Sequence, residues 1–150
     1  MNSRIKVAII GLGFGMEFIP IYQAYPDAEV YAICRRNEEE LNKIGKSYNI
    51  KNRFTDWKDL LNIEEIDAIH VVSPIMDHAP MAIESLKAGK HCACTVPMGT
   101  SVDDLKAIVK AKKDAQKVYM MMETAVYTRE FLYVKNLVDS GKLGLSLIEV

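Results

Sequence analysis

Short apolar runs alternate with longer amphipathic stretches along this chain. Ile5 to Ile10 is mostly apolar, rich in β-branched residues and closed by glycines, which predicts a buried parallel strand. Gly11 to Gly15 follow, and Met16 to Tyr25 reads as a helix in which Pro20 requires a kink or a short element. Val30 to Cys34 is the second strand. Asn37 and Glu40 form a capping-box-like start to a helix reaching about Tyr48. Arg53-Phe54 is a short third strand, and Asp56 opens a helical turn through Leu61. Ala68 to Val72 is the fourth strand. Ala79 to Ala88 is a helix that Gly89 stops at C′. His91 to Thr95 is the fifth strand. Ser101 caps a helix to Gln116 with Asp104 at its third position, and Val118 to Met122 is the sixth strand.

Regular strand–helix alternation specifies an α/β fold, a doubly wound parallel sheet covered on both faces. The tail changes character. Arg129 to Ser140 reads as a helix closed by Gly141, and Leu145 to Val150 as a strand with no turn signal after it. The expected organisation is one nucleotide-binding unit over 1–124, then residues 125–150 as the opening helix and strand of a second, truncated α+β domain.

Composition narrows the setting. The chain has 150 residues, 49% hydrophobic and 26% charged, with a net charge of −1, so one ordinary globular domain fits and neither nucleic acid nor an anionic membrane is an expected partner. No apolar run approaches a membrane span, and no signal-peptide core follows Met1. Cys34, Cys92 and Cys94 are an odd, sparse set without a CxxC spacing, which points to the cytoplasm.

Gly11, Gly13 and Gly15 lie between the first strand and the first helix. There the first glycine allows a tight turn, and the second lets the backbone approach a pyrophosphate. The usual spacing is G-x-G-x-x-G. Here the last glycine comes one place early and Met16 takes its slot, which implies a wider helix approach. At the first βα turn of a doubly wound pattern, phosphate binding outweighs a ligand-free glycine turn. Domains that take NAD carry an acid at the end of the second strand for the ribose 2′-hydroxyl. This strand ends Ile33-Cys34-Arg35-Arg36. Two arginines suit a 2′-phosphate, one as a charged fork and one stacked on adenine, so NADP is expected ahead of NAD. The plain alternative is two solvated arginines on a loop, with Asn37 only capping its helix.

Gly11 to Gly15, Ser73-Pro74 with His78, Gly89-Lys90-His91, Pro97-Met98 and Asp139 to Gly144 together resemble the glucose–fructose oxidoreductase / inositol dehydrogenase / MocA family over nearly the whole chain. That resemblance implies an NAD(P)-binding Rossmann fold at the N-terminus of a longer oxidoreductase. It implies hydride transfer to or from a sugar, cyclitol or related polyhydroxylated small molecule, a largely antiparallel second domain, and a homo-oligomer. It places Gly11, Gly13, Phe14 and Gly15 at the pyrophosphate, Arg35 and Arg36 at the 2′-phosphate, Ser73, Pro74 and His78 beside the nicotinamide ribose, and Pro97 at the floor.

Three motifs depart from the family. Where members read E-K-P after the fifth strand, this chain has Thr95-Val96-Pro97, and Val96 neither donates a proton nor carries charge. Where members read S/T-P-N-x-x-H, Ile75 stands in place of the amide. Where an Asn-Arg pair follows the sixth strand, this chain has Met122 to Ala125. His78, Glu123 and Tyr127 are the residues here that offer acid–base chemistry, with His78 and Glu123 the catalytic candidates. The missing lysine favours one alternative, a non-catalytic NADP(H)-sensing or regulatory module.

The other polar residues read as structure. His70 sits in an apolar strand and His91 begins one. Cys92 and Cys94 face one side of their strand and His91 the other, so no metal site is expected. Cys94 is a candidate to line the nicotinamide pocket, and Met120 to Met122 read as filler on a buried strand.

Overall fold

The structure is a computed structural model that describes residues 4–143; the expected strand at Leu145 to Val150 lies outside them. Six parallel strands form one sheet: β1 (Ile5–Ile10), β2 (Ala28–Cys34), β3 (Asn52–Phe54), β4 (Ala68–Val71), β5 (His91–Thr95) and β6 (Tyr119–Met122), in the order β3-β2-β1-β4-β5-β6. The helices are α1 (Ile19–Ala24), α2 (Glu38–Ser47), α3 (Ile75–Lys87), α4 (Val102–Ala115) and α5 (Arg129–Asp139). This is the doubly wound order of a Rossmann fold, in which the chain switches direction between β1 and β4.

Alternation along the strands divides the core in two. Ala8 and Ile10 of β1 join Ile69, Val71, Cys92 and Cys94 beneath α3 and α4. Val7 and Ile9 point the other way, with Ile33, Leu12, Phe18, Ile19 and Leu41, beneath α1 and α2. Both faces of the central strands are buried, as a parallel sheet requires.

Local chemistry sets the helix limits. Asn37 Oδ1 accepts the Glu40 N–H at 2.9 Å to start α2. Ser101 and Asp104 make a full capping box at α4. A 3-10 turn at Phe14–Phe18 precedes α1, which begins late enough for Pro20 to fall in its first turn, where no N–H is needed. α3 begins at Ile75, four residues before the expected Ala79, and carries Pro80 inside. Pro80 removes one bond, to the carbonyl of Met76, which is an exposed residue.

Of the methionines of β6, Met122 packs against the core beneath α1 and α2 as expected, but Met120 and Met121 are not core filler. Met120 and Met121 are 50% and 44% exposed, because among the described residues β6 is the sheet's edge and pairs only with β5. An apolar strand reads the same in sequence at an edge or at the centre.

His70 is fully buried in β4. Its Nδ1 lies 3.2 Å from the Tyr22 hydroxyl, the Phe18 ring packs edge-on at 4.6 Å, and Nε2 has no partner among the described residues. Burial lowers its pKa to about 4, below the usual value of about 6.5. The unfolded chain therefore binds a proton that the folded chain refuses. Stability is intact above about pH 6.5 and falls as the pH drops through that value towards 4, by on the order of 3 kcal/mol. Urea titrations at pH 7 and pH 4.5 are expected to show this loss, and His70→Gln is expected to flatten the slope.

Candidate functional site

The carboxyl ends of β1, β2 and β4 open into a cleft of about 630 Å³, with Gly11, Gly13, Arg35, Arg36, Ser73 and Pro74 on its walls. This is the switch point of the sheet, where ligands of open α/β folds lie, and its size suits a small-molecule site. The sheet brings together residues from three separated segments, most of them legible in the sequence.

Each glycine in the loop does a different job. Gly11 has φ +89°, and a Cβ on it would lie 2.4 Å from the Val72 carbonyl oxygen. Its N–H donates to Cys34 O at 3.0 Å, while the Val72 N–H donates to Ile10 O at 2.8 Å, so the turn is wedged between the ends of β2 and β4. Gly13 has open space where a Cβ would stand. That bare backbone facing a cleft is the cradle that a pyrophosphate fits. Gly15 is buried, and a Cβ there would press on Ile9 Cγ2 at 3.2 Å and Val72 Cβ at 3.4 Å. Gly15 thus provides the close helix–sheet approach, and the wider approach expected from Met16 does not occur. The segment is a 3-10 turn, narrower than an α-helix, so the packing position arrives one residue early. Phe14 is 58% exposed and lies edge-on to Phe18.

At the far end of the cleft, Arg35 is ion-paired with Glu40, and its Nε is buried without an acceptor. Arg36 is exposed. Glu40 turns its carboxylate to the guanidinium, so the expected capping box is half-formed: Asn37 caps α2 with no return bond. Burial, then the carboxylates of Asp56 and Asp59, push the Cys34 thiol up to about 12, which keeps it a neutral wall. Thr55, Trp57 and Asp77 also line the cleft. Sequence reading missed these three, although their places just after β3 and β4 were the available signal.

His78 lies in the first turn of α3 and is only 1% exposed. Nδ1 is 2.7 Å from Pro97 O and Nε2 is 2.8 Å from Ser73 O. The ring ties the loop after β4 to the loop after β5 and faces neither solvent nor the open cleft. Pro97 follows a cis peptide bond from Val96, and Val96 is 37% exposed. Glu123 Oε1 accepts the Ala125 N–H at 2.8 Å, capping a short 3-10 turn, and Tyr127 is 72% exposed.

One further expectation changes. Cys94 is fully buried in the core beneath α3 and α4 and does not line the cleft. Burial pushes its thiol up to about 11. His91 Nδ1 accepts the Val118 N–H at 3.0 Å, a structural role that aligns β5 with the start of β6.

Comparison with known proteins agrees with this geometry. A family described as an oxidoreductase family with an NAD-binding Rossmann fold (GFO_IDH_MocA) matches residues 5–123. Glycosyl hydrolase family 109 protein 2 of Shewanella sp. (strain ANA-3) is 32% identical over 153 residues, covering 95% of this chain and 33% of that protein. Myo-inositol 2-dehydrogenase from Lactobacillus plantarum superposes with a TM-score of 0.87 at 26% identity, over 95% of this chain and 43% of that one. Scyllo-inositol dehydrogenase from Lactobacillus casei, solved with NAD(H) and scyllo-inositol, does so with a TM-score of 0.85 at 26% identity, over 95% and 43%. The chain spans about a third of the length of its curated relatives. With its glycine cradle at the switch point of a doubly wound sheet, this chain belongs to the GFO_IDH_MocA oxidoreductase family and forms its NAD-binding Rossmann domain.

Proposed function

We propose that this chain is the cofactor-binding part of an NAD(P)-dependent oxidoreductase that transfers hydride to or from a sugar, a cyclitol or another polyhydroxylated small molecule. The observation that carries this reading is Gly13, whose bare backbone faces the cleft between Arg35 and Ser73. Gly11 and Gly13 would seat the pyrophosphate, with Gly15 packing the turn onto the sheet behind it and Phe14 shielding its outer side. Ser73 and Pro74 would border the nicotinamide ribose, and Pro97 would form the floor. A nicotinamide bound there supplies the hydride acceptor or donor. Solved relatives that act on inositols support the substrate class.

His78 acts as a positioning residue in this reading, since both its nitrogens are engaged by backbone carbonyls. Glu123 is engaged as a cap. With Val96 in place of a lysine, the proton partner of the hydride step comes from a second domain that opens at residues 125–150. Tyr127, Phe131, Leu132 and Tyr133 are 72%, 44%, 50% and 67% exposed, an apolar surface suited to meeting that domain and a second copy of the protein. No helix among the described residues is long and apolar enough to cross a membrane, and the three free cysteines fit a cytoplasmic setting.

Within this reading NADP(H) is preferred over NAD(H), because Arg35 and Arg36 stand where an acid would bind the 2′-hydroxyl. Calorimetric titration with NADPH and NADH tests both levels. Tighter binding of NADPH is expected, and Arg35→Asp is expected to weaken NADPH by about a hundredfold while changing NADH little, a charge reversal beside a phosphate dianion. Equal affinities would remove the arginine argument and leave the dinucleotide reading standing.

A second reading follows from the curated relatives, which are named as glycosyl hydrolases. Some glycosidases depend on a nicotinamide, so the same cradle would serve hydrolysis of a glycoside. Assaying the whole protein for both polyol oxidation and glycoside cleavage separates the two. Nucleotide binding without either activity would instead favour a sensing module, which the absence of a lysine at Val96 supports.

A further inference from the structure

Arg35 and Arg36 do not stand alone at the adenosine end of the cleft. α2 opens with Glu38, Glu39 and Glu40, so three carboxylates follow the two arginines directly in the chain. The closest approach is the Arg35–Glu40 ion pair, with side chains 30% and 51% exposed. A pair this open is re-formable, and the nearby cleft leaves room for a competing anion. Arg35 has no other ion-pair partner among the described residues, and its Nε has no acceptor. The guanidinium is thus committed to one carboxylate.

We propose that Glu40 is a specificity-determining residue that limits the preference for NADP(H). A 2′-phosphate carries nearly two negative charges. To bind Arg35 it must share or displace the Glu40 carboxylate, and it is repelled by that charge in the process. A 2′-hydroxyl is neutral and meets neither obstacle. Glu40 therefore lowers NADP(H) affinity selectively and leaves NAD(H) affinity in place. It does so from the third position of α2, where Glu and Gln are equally at home and where its backbone N–H is already capped by Asn37. Removing the charge is compatible with the fold.

This proposal rests on the dinucleotide reading above, and NADH serves as its internal control. The experiment is calorimetric titration of this chain and of Glu40→Gln with NADPH and NADH, at 50 mM and 500 mM salt. The expected result is NADPH binding strengthened roughly five- to tenfold at low salt, a gain that shrinks at high salt as screening grows, with NADH within twofold of its starting value. NADPH affinity unchanged or weakened in Glu40→Gln, with NADH still bound, overturns the proposal and assigns Glu40 to holding Arg35 in place. Equal strengthening of both nucleotides also overturns it. Failure of the unaltered chain to bind either nucleotide overturns the dinucleotide reading and this proposal together.

Discussion

Gly11→Ala is expected to unfold the first βα turn, whereas Gly13→Ala is expected to leave the fold intact and abolish tight nucleotide binding. At Gly11 the added methyl meets two penalties. The residue keeps a positive φ of +89°, and its Cβ lands 2.4 Å from Val72 O and 2.9 Å from Ser73 N. Those atoms are backbone and cannot rotate aside. The loop cannot retreat either, because the Gly11 N–H is bonded to Cys34 O and Ile10 O accepts the Val72 N–H. Left-handed strain plus forced separation of β1 from β4 sums to about 3 kcal/mol, or roughly 10 °C in melting temperature for a domain of this size. At Gly13 nothing lies within 4 Å of the added methyl and φ is −65°, so the fold is expected to gain a few tenths of a kcal/mol from a stiffer unfolded chain. The same methyl occupies the space through which a pyrophosphate approaches, and affinity is expected to fall at least tenfold. Differential scanning calorimetry and titration on the two variants check this division of labour.

The second large effect belongs to His78. His78→Ala removes a fully enclosed ring and leaves the carbonyls of Ser73 and Pro97 without their partner. Lost packing and the hydrogen bond that the ring N–H donates to one of these carbonyls cost about 3 kcal/mol. The loops after β4 and β5 also lose their tie, so nucleotide affinity is expected to fall together with stability. Asn at this position can place a donor near the Nδ1 site and Gln near the Nε2 site, so each is expected to recover about half of the stability. A proton-transfer role would give a different result: His78→Asn and His78→Gln would keep affinity and lose turnover alone. Thermal melts of the three variants, with nucleotide titrations of each, check this expectation.

The fold was legible in the sequence wherever burial on both sheet faces forced a nearly continuous apolar run, as in Val7 to Ile10 of β1 and around His70 in Ala68 to Val71 of β4. The glycines were legible because turn geometry and backbone approach demand them. What escaped was relational. Met120 and Met121 look like core until the strand order places them at an edge. Gly15 looked out of register until the 3-10 turn brought it against Ile9 and Val72. Glu40 carried a recognisable capping signal, but its carboxylate is drawn to Arg35, a charged partner five residues earlier, in preference to a neutral backbone N–H. His78 was visible as a motif residue, yet only the structure shows that both ring nitrogens lie against backbone carbonyls. Asp77 and Trp57 had no motif at all and reach the cleft solely because their segments end at the same sheet edge.

The central claim is that a dinucleotide lies across the carboxyl edge of this sheet, pyrophosphate on the glycine loop. The most direct test is an amide chemical-shift map of the nitrogen-15-labelled chain titrated with NADPH. The expected result is saturable shifts at Gly11, Gly13, Gly15, Arg35, Arg36 and Ser73, with the exposed face of α4 unmoved. Shifts confined to other surfaces, or none at saturating nucleotide, would contradict the claim.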